Sequence, residues 1–424
     1  MKEMKNSGIE WIGNVPRDWE IVRIKEKYSF NTGFTPDTQQ SNYYNDENGY
    51  EWATIADIVE GKVNTPTKSL VSRSFIEQYH KKMVKPNSLL YSFKLSVGQT
   101  AITDRPMYTN EALASFEQTS ENNIDFLKYS SMLIEYNANT NIYGAKILNQ
   151  QLIKNAYVTF PNLQEQCRIA DFLDEKCDEI DSLTKDIQEQ IATLEEYKKS
   201  VITEIVTKGL DSNVEMKDSG IEWIGTIPKY WAVEKIKYHL QRKEPRNPGN
   251  VQVLSVYREY GVIPKDSRDD NHNVTSEDTS KYKYVKPGNL VINKMKAWQG
   301  SLAISEYEGI VSPAYFIYHF IDDVFNKKYF HYLIRSCYKD EFRRISTGIR
   351  EGQWDLPSRD FENELVLIPP KNEQNDIVNY LDSKCSEIDA IIQTKKEQLD
   401  VLAEYKKSLI YEYVTGKKEV PVNE

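Results

Sequence analysis

Lysine and arginine interleaved with tryptophan and glutamine are the side chains here best suited to chemistry. The chemistry they suit is contact with a polyanion that carries readable edges. They are densest in KYKYVKPGNLVINKMKAWQGS (281–301), which places Lys281, Lys283, Lys286, Lys294 and Lys296 beside Trp298 and Gln299. Arg335, Lys339 and Arg343 recur every four residues, a spacing that would put them on one face of a helix. Arg344 follows, and the loop STGIREGQW adds Arg350 and Gln353. Arginine and glutamine can make bidentate hydrogen bonds to guanine and adenine edges, whereas lysine suits phosphates. An earlier stretch offers Lys81, Lys82, Lys85, Lys94, Ser96 and Gln99. Any one of these residues alone reads as a solvated surface charge; the clustering carries the argument.

Catalytic motifs are sparse. There is no G-x-x-x-x-G-K-[ST] phosphate loop and no G-x-G-x-x-G after a strand. The tetrapeptides with which amino-methyltransferases hold a flipped base are also missing, since Ile368-Pro369-Pro370 lacks both the amide and the aromatic residue. The five histidines show no zinc-binding spacing. Asp37, Glu60 and Lys62 match the loose carboxylate–lysine pattern of a metal-dependent nuclease, but acid-x-lysine also occurs at Asp174-Glu175-Lys176 and at Glu215-Met216-Lys217.

The elements that must position these residues are announced by a repeat. MKNSGIEWIGNVPRDWEIVRIK (4–25) returns as MKDSGIEWIGTIPKYWAVEKIK (216–237), identical at 13 of 22 positions. FPNLQEQCRIADFLDEKCDEID (160–181) is answered by IPPKNEQNDIVNYLDSKCSEID (368–389), and EYKKS occurs at 196–200 and 404–408, both at an offset of 208. Such spacing means two copies of one large unit. The intervening blocks, 26–150 and 238–357, show little likeness. A frame that holds two different readers has this form, and a two-fold symmetric ligand such as duplex DNA suits it.

The closing segments predict long helices. Residues 164–207 contain neither glycine nor proline, and Gly209 supplies a stop. Leu173, Ile180, Ile187, Leu194 and Val201 form one heptad seam, with Cys177, Thr184, Ile191, Lys198 and Ile205 in the other position. The second copy gives Leu381, Ile388, Lys395, Leu402 and Leu409, with Cys385, Ile392, Leu399, Lys406 and Tyr413. If a two-fold axis crosses the pair, the helices run antiparallel and no Cys177–Cys385 disulfide is expected. The variable blocks read as mixed α/β, with strands expected over YEWATIADI, SLLYSF, TAIT, VQVLSVY, NLVINKM and IVSPAYFIYHF, and loops over 37–49 and 265–280.

Composition fits a multidomain globular chain of 424 residues. No run of 18 apolar residues suggests a membrane span, the opening residues do not read as a signal peptide, and four cysteines without C-x-x-C spacing fit a reduced, cytoplasmic setting. The net charge of −10 argues against a nucleic-acid partner until it is located. Residues 161–215 hold 6 basic and 14 acidic residues, and 371–424 hold 8 and 11, so the acidity sits on the helices. The second variable block (238–355) has 18 basic and 15 acidic residues, whereas the first (26–150) has 11 and 14. Local patches decide nucleic-acid contact.

The SGIEWIG-x-x-P-x-x-W openings, the proline–Glu-Gln…Leu-Asp closings and the paired helices resemble, over essentially the whole chain, the specificity subunit of type I restriction-modification systems. VLSVYREYGV, VKPGNLVINKMKAWQGS and STGIREGQW resemble its target recognition domains. The first block departs from the pattern in its acidity and its weaker motif match. The resemblance implies a mixed α/β fold: two α/β target recognition domains (1–160 and 213–368) joined by two long antiparallel coiled-coil helices (161–212 and 369–424) in a pseudo-two-fold repeat. It implies a non-catalytic subunit that binds double-stranded DNA at a bipartite site, with the helices as a ruler, and that binds no cofactor itself. Two modification subunits using S-adenosylmethionine would methylate adenine. Restriction subunits using ATP and Mg²⁺ would translocate and cleave. No membrane is implied. The DNA-binding residues expected are Lys81, Lys82, Lys94 and Gln99 in the first domain, and Lys294, Lys296, Gln299, Arg343, Arg344, Arg350 and Gln353 in the second. A self-contained nuclease built on Asp37, Glu60 and Lys62, and a coiled-coil scaffold that binds only proteins, are the alternatives.

Overall fold

The computed structural model describes residues 3–44, 47–59, 61–94, 96–140, 146–249, 251–258, 261–267, 275, 278–348 and 354–421. The chain forms two compact units. Unit 1 comprises Met1–Ile187 and Glu397–Glu424, and unit 2 comprises Gln188–Lys396.

The sheet of unit 1 is built from β1 (Ser29–Thr32), β2 (Ser88–Ser92), β3 (Thr100–Ile102) and β4 (Leu113–Glu117), antiparallel throughout in the order β3–β2–β4–β1. It is followed by the short helix α1 (Ile124–Ser130) and the long helix α2 (Leu163–Lys208). The sheet of unit 2 holds β5 (Leu240–Arg242), β7 (Leu290–Asn293), β8 (Leu302–Ile304) and β9 (Tyr315–Phe320), while β6 (Gly261–Pro264) lies in a separate hairpin. Its order is β8–β7–β9–β5, again antiparallel. In both sheets the order is therefore first, last, second, third strand. After it come α3 (Lys327–Cys337), α4 (Lys339–Ile345) and the long helix α5 (Lys371–Val414).

The two variable blocks are thus two versions of one sheet, which the sequence comparison did not anticipate. The relation surfaces at an offset near 201: VKP at 84–86 and 285–287, Leu89 and Leu290, then Ala101-Ile102 and Ala303-Ile304. Beyond the exposed Lys-Pro of the VKP segments, the matching residues are buried or half-buried. Leu89 and Leu290 are fully buried, as are Ala101 and Ala303 within a percent.

The repeated opening folds identically in each unit. Met4–Asn6 pairs with Asn14–Pro16, and Met216–Asp218 with Thr226–Pro228. The next strand, Glu20–Arg23 or Ala232–Lys235, pairs antiparallel with the strand that precedes the long helix, Tyr157–Phe160 or Leu365–Ile368. Trp19 and Trp231 are buried in the two main cores. Each meets the glycine that ends a long helix. A Cβ on Gly416 would strike Pro16 at 2.4 Å and Trp19 at 3.1 Å, and one on Gly209 would strike Glu373 at 2.7 Å and Trp231 at 3.3 Å. Both glycines have positive φ, so conformation and space alike require glycine there.

Helices α2 and α5 are 46 and 44 residues long, about 69 and 66 Å. None of the twenty expected seam positions is exposed. Within unit 1, Phe172 lies against Tyr413 and Asp181 pairs with Lys406 at 2.6 Å, so the two segments run antiparallel. Within unit 2, Gln190 accepts from Lys395 and Asp389 pairs with Lys198 at 2.6 Å, again antiparallel. The seam lysines, which break the apolar pattern, thus find partners across it. A polar seam residue of this kind fixes register more than it adds stability. All four cysteines are free, as expected.

Two strand expectations need correction. YEWATIADI is a strand over Tyr50–Ala53 and again from Ile58, where the short strand Ile58–Val59 begins; a 3₁₀ turn, Ile55–Asp57, divides them, with the buried Asp57 accepting from the Thr54 and Lys68 N–H groups. IVSPAYFIYHF splits into Gly309–Val311 and β9 at Ser312-Pro313, where proline cannot donate to a ladder. Among the described residues, no helix is long and apolar enough to cross a membrane.

Candidate nucleic-acid interface

In unit 1 the helix Arg73–Tyr79 ends at His80 in the left-handed region, which turns the chain into the Lys81-Lys82 segment. These lysines border a shallow cavity of about 90 Å³ with Asn31, Phe34 and Glu117. Lys81 Nζ lies 5.2 Å from the centre of the Phe34 ring. Lys82 and Lys85 both reach Glu117, at 2.8 and 2.9 Å, and hold its carboxyl below the usual range. Lys94 lies 3.4 Å from Glu111. Gln99 is exposed beyond a tight turn in which Ser96 has φ +48° and the Gln99 N–H donates to Ser92 Oγ. Two of the expected lysines, Lys82 and Lys94, and their neighbour Lys85 therefore already have carboxylates, and a phosphate would have to displace those contacts.

In unit 2 the turn between β7 and β8 carries Lys294, Lys296, Trp298 and Gln299. Trp298 Nε1 donates to the Met295 carbonyl at 3.1 Å, which shapes the turn. Helix α4 packs beside it and supplies Arg343. The guanidinium lies 5.9 Å from the Trp298 ring centre and 5.8 Å from that of Trp354, and the two indoles meet at 62°. An arginine held between aromatic faces loses less freedom on binding and keeps its planar fork presented. Lys294 pairs with Asp355 at 2.7 Å, Lys296 is exposed, and Gln299 accepts from Arg258. A cavity of about 360 Å³ adjoins the turn, lined in part by Lys265, Tyr282, Lys296, Trp298, Gln299 and Tyr315.

Other expected residues lie elsewhere. Arg344 points away from Arg343 and binds Glu341, whose side chain is 3% exposed. Glu364 is drawn into the same group: burial first, then Glu341, pushes its carboxyl up to about 7, against the pull of Arg344. Removing Arg344 would therefore disturb a carboxylate pair before it tested recognition. Arg350, Gln353 and Glu60 lie outside the described residues. Asp37 accepts from the Gln39 N–H in its own turn. The expected face of Arg335, Lys339 and Arg343 does not form, because the helix breaks at Tyr338 and Arg335 stays on α3. Among the described residues, no group of three or more histidine, cysteine or acidic side chains could hold a metal.

The repeated Glu-Gln of the closings has a role the sequence did not reveal. Gln166 and Gln374 are fully buried. Gln166 accepts from the Asn123 N–H and donates to the Pro161 carbonyl, both at 2.8 Å. Gln374 accepts from the Asn326 N–H at 2.7 Å and donates to the Pro369 carbonyl at 2.8 Å. Asn123 and Asn326 are the N-caps of α1 and α3. The glutamine thus locks a variable-block helix to the root of a long helix. Its offset of 208 was the visible signal.

The family profile described as "Type I restriction modification DNA specificity domain" matches residues 16–193 and 234–401. The chain is 24% identical over 430 residues to the type I restriction enzyme MjaVIII specificity subunit of Methanocaldococcus jannaschii, covering 96% of this chain and 94% of that protein. It is 23% identical over 441 residues to the putative MjaX specificity subunit of the same organism, covering 96% of each. Among solved structures, a chain from work on complex assembly and conformational transition of the type I R-M system aligns with a TM-score of 0.70 at 14% identity, over 95% of this chain and 99% of that one. The HsdS subunit of Thermoanaerobacter tengcongensis aligns with a TM-score of 0.51 at 14% identity, over 95% and 98%.

Proposed function

Because the chain belongs to the type I restriction-modification DNA specificity family, we propose that it reads a bipartite site in double-stranded DNA and directs adenine methylation and restriction carried out by other subunits. The observation that carries this reading is the double match, once over each compact unit, with a different basic cluster in each. Residues 1–160 and 213–368 act as target recognition domains. Helices in 161–212 and 369–424 pair as an antiparallel coiled coil and act as a ruler, since readers on one face of B-DNA must stand about 34 Å or a multiple of it apart. Their repeated surfaces offer two equivalent docking sites for two modification subunits. Those subunits supply S-adenosylmethionine chemistry, and restriction subunits, also recruited by this chain, use ATP and Mg²⁺. This chain supplies address rather than catalysis, in the cytoplasm. Unlike readers on a repeated frame give an asymmetric site.

Mapping methylated adenines in DNA exposed to the assembled enzyme tests the reading. The expected result is one motif of two unlike half-sites separated by a fixed, unspecified spacer. A single continuous motif would refute it, and cutting of DNA by the purified chain with Mg²⁺ alone would favour the nuclease alternative.

Arg343 gives a sharper test. Arg343→Ala is expected to relax one base pair in one half-site, with a loss of about 1–3 kcal/mol of discrimination. Competition binding with single-base variants of the mapped site measures it. Uniform weakening across all positions would show that Arg343 contacts only phosphate.

A further inference from the structure

A cavity of about 710 Å³ opens at the far end of β7 from the Trp298 turn. It is bounded by Pro287-Gly288, by β6, by Ile304–Tyr307 and by one face of α3. That face presents Lys327, Lys328, His331 and Arg335. Lys328 pairs with Asp382 at 2.6 Å. Among the described residues Lys327 and Arg335 make no ion pair or hydrogen bond, and His331 Nε2 is buried without a partner. Among the described residues Glu306 is the one carboxylate lining the cavity, and it forms no ion pair with them.

Burial lowers the Arg335 guanidinium with no acid opposing it. Burial, then Arg335 and Lys328, pushes His331 down to about 4, so it is neutral at pH 7 and can donate one N–H. The positive row continues past the cavity. His319 is lowered by burial and then by Lys243, Lys286 and Lys327; its Nδ1 meets the Asn289 amide at 3.3 Å, and its Nε2 is buried without a partner. An exposed lysine alone would be a solvated charge. A half-buried arginine beside an imidazole nitrogen buried without a partner is different, since cations and polar groups taken from water need compensation.

We propose that this row is a phosphate-binding track, with Lys327, His331 and Arg335 taking backbone phosphates of the duplex outside the bases read at the Trp298 turn. The proposal rests on the DNA-recognition reading above. Strand β7, four residues or about 13 Å long, separates the two places, which corresponds to about four base-pair steps. The track would fix position on the duplex and carry no sequence information itself.

The test uses the assembled complex with a duplex carrying the mapped site, and measures affinity across a salt series. Each lost phosphate contact flattens the slope of log affinity against log salt by about 0.9. Lys327→Gln is expected to flatten it by about one, and Lys327→Gln with Arg335→Gln by about two, with specific and non-specific duplexes weakened alike and the methylated sequence unchanged. The exposed Lys327 keeps the test valid if the Arg335 variant folds poorly. An unchanged slope in Lys327→Gln overturns the track. That includes the case in which inorganic phosphate raises the melting temperature of the wild type but not of the variant, which would assign the cavity to a free phosphate compound. If the wild-type complex binds no duplex selectively, the recognition reading itself fails; if it binds and the variant matches it, only the track fails.

Discussion

Replacing Gln374 with leucine is expected to destabilise unit 2 by about 3 kcal/mol or more, and Gln166→Leu to do the same to unit 1. Leucine fills much of the volume but none of the bonding. Without Gln374 the Asn326 N–H loses its acceptor, and the Val324 and Pro369 carbonyls lose the donor now 3.0 and 2.8 Å away. Each buried polar group left unpaired costs about 1–3 kcal/mol, with carbonyls at the low end because a second lone pair can compensate. The damage concentrates where α3 meets α5, so recognition and partner docking should both suffer. Denaturant unfolding followed by hydrogen exchange would measure the loss and assign it to one unit, which matters because a chain of two units need not unfold in one step. A loss below about 1 kcal/mol in both variants would mean that these glutamines are not the clamps their geometry describes.

The frame was legible because its constraints are periodic or copied. The seam pattern, the glycine stops and the repeated openings each rest on a rule that acts within a few residues or at a fixed offset. Gly209 and Gly416 illustrate it: both follow a long glycine-free and proline-free run, and both have the positive φ a helix terminator needs. The shared strand order of the two sheets was hidden because insertions shift the variable blocks away from the offsets of the frame. A few positions keep step near 201, as at Leu89 and Leu290 or Ala101 and Ala303, and so short a set of matches is easily lost among polar loops.

The site was less legible because its geometry depends on contacts distant in sequence. Nothing local to Lys82 or Lys85 predicts that Glu117, on β4, occupies both. Nothing near Arg343 predicts that Trp298, 45 positions earlier, joins Trp354 in flanking it. The Arg344–Glu341 pair was readable, since three residues apart on a helix is a contact distance. The helical face drawn through Arg335, Lys339 and Arg343 failed for one local reason. Tyr338 is fully buried and sits at φ −108°, ψ 1°, outside helical geometry, so two helices meet where one was expected. That break sends Arg335 to the cavity on α3 and leaves Arg343 beside the Trp298 turn.

Lengthening the helical pair is expected to lengthen the spacer between half-sites and leave both half-sites unchanged. The insertion belongs in both strands of the pair. Thr193 lies between Gln190 and Lys198, which contact Lys395 and Asp389, so its opposite number on α5 is near Ile392. Four residues placed after each position add about 6 Å of helix, or at most about two base pairs of B-DNA. A four-residue step is tolerated by a heptad seam as a local unwinding, so the flanking Lys198–Asp389 and Lys406–Asp181 pairs can persist. An insertion in α2 alone would strip those partners from register and should cost stability instead. Methylation mapping of the doubly inserted complex distinguishes the cases. A longer spacer with intact half-sites supports the ruler; an unchanged spacer with full activity would mean that separation is set elsewhere, by the partner subunits or by bending of the DNA.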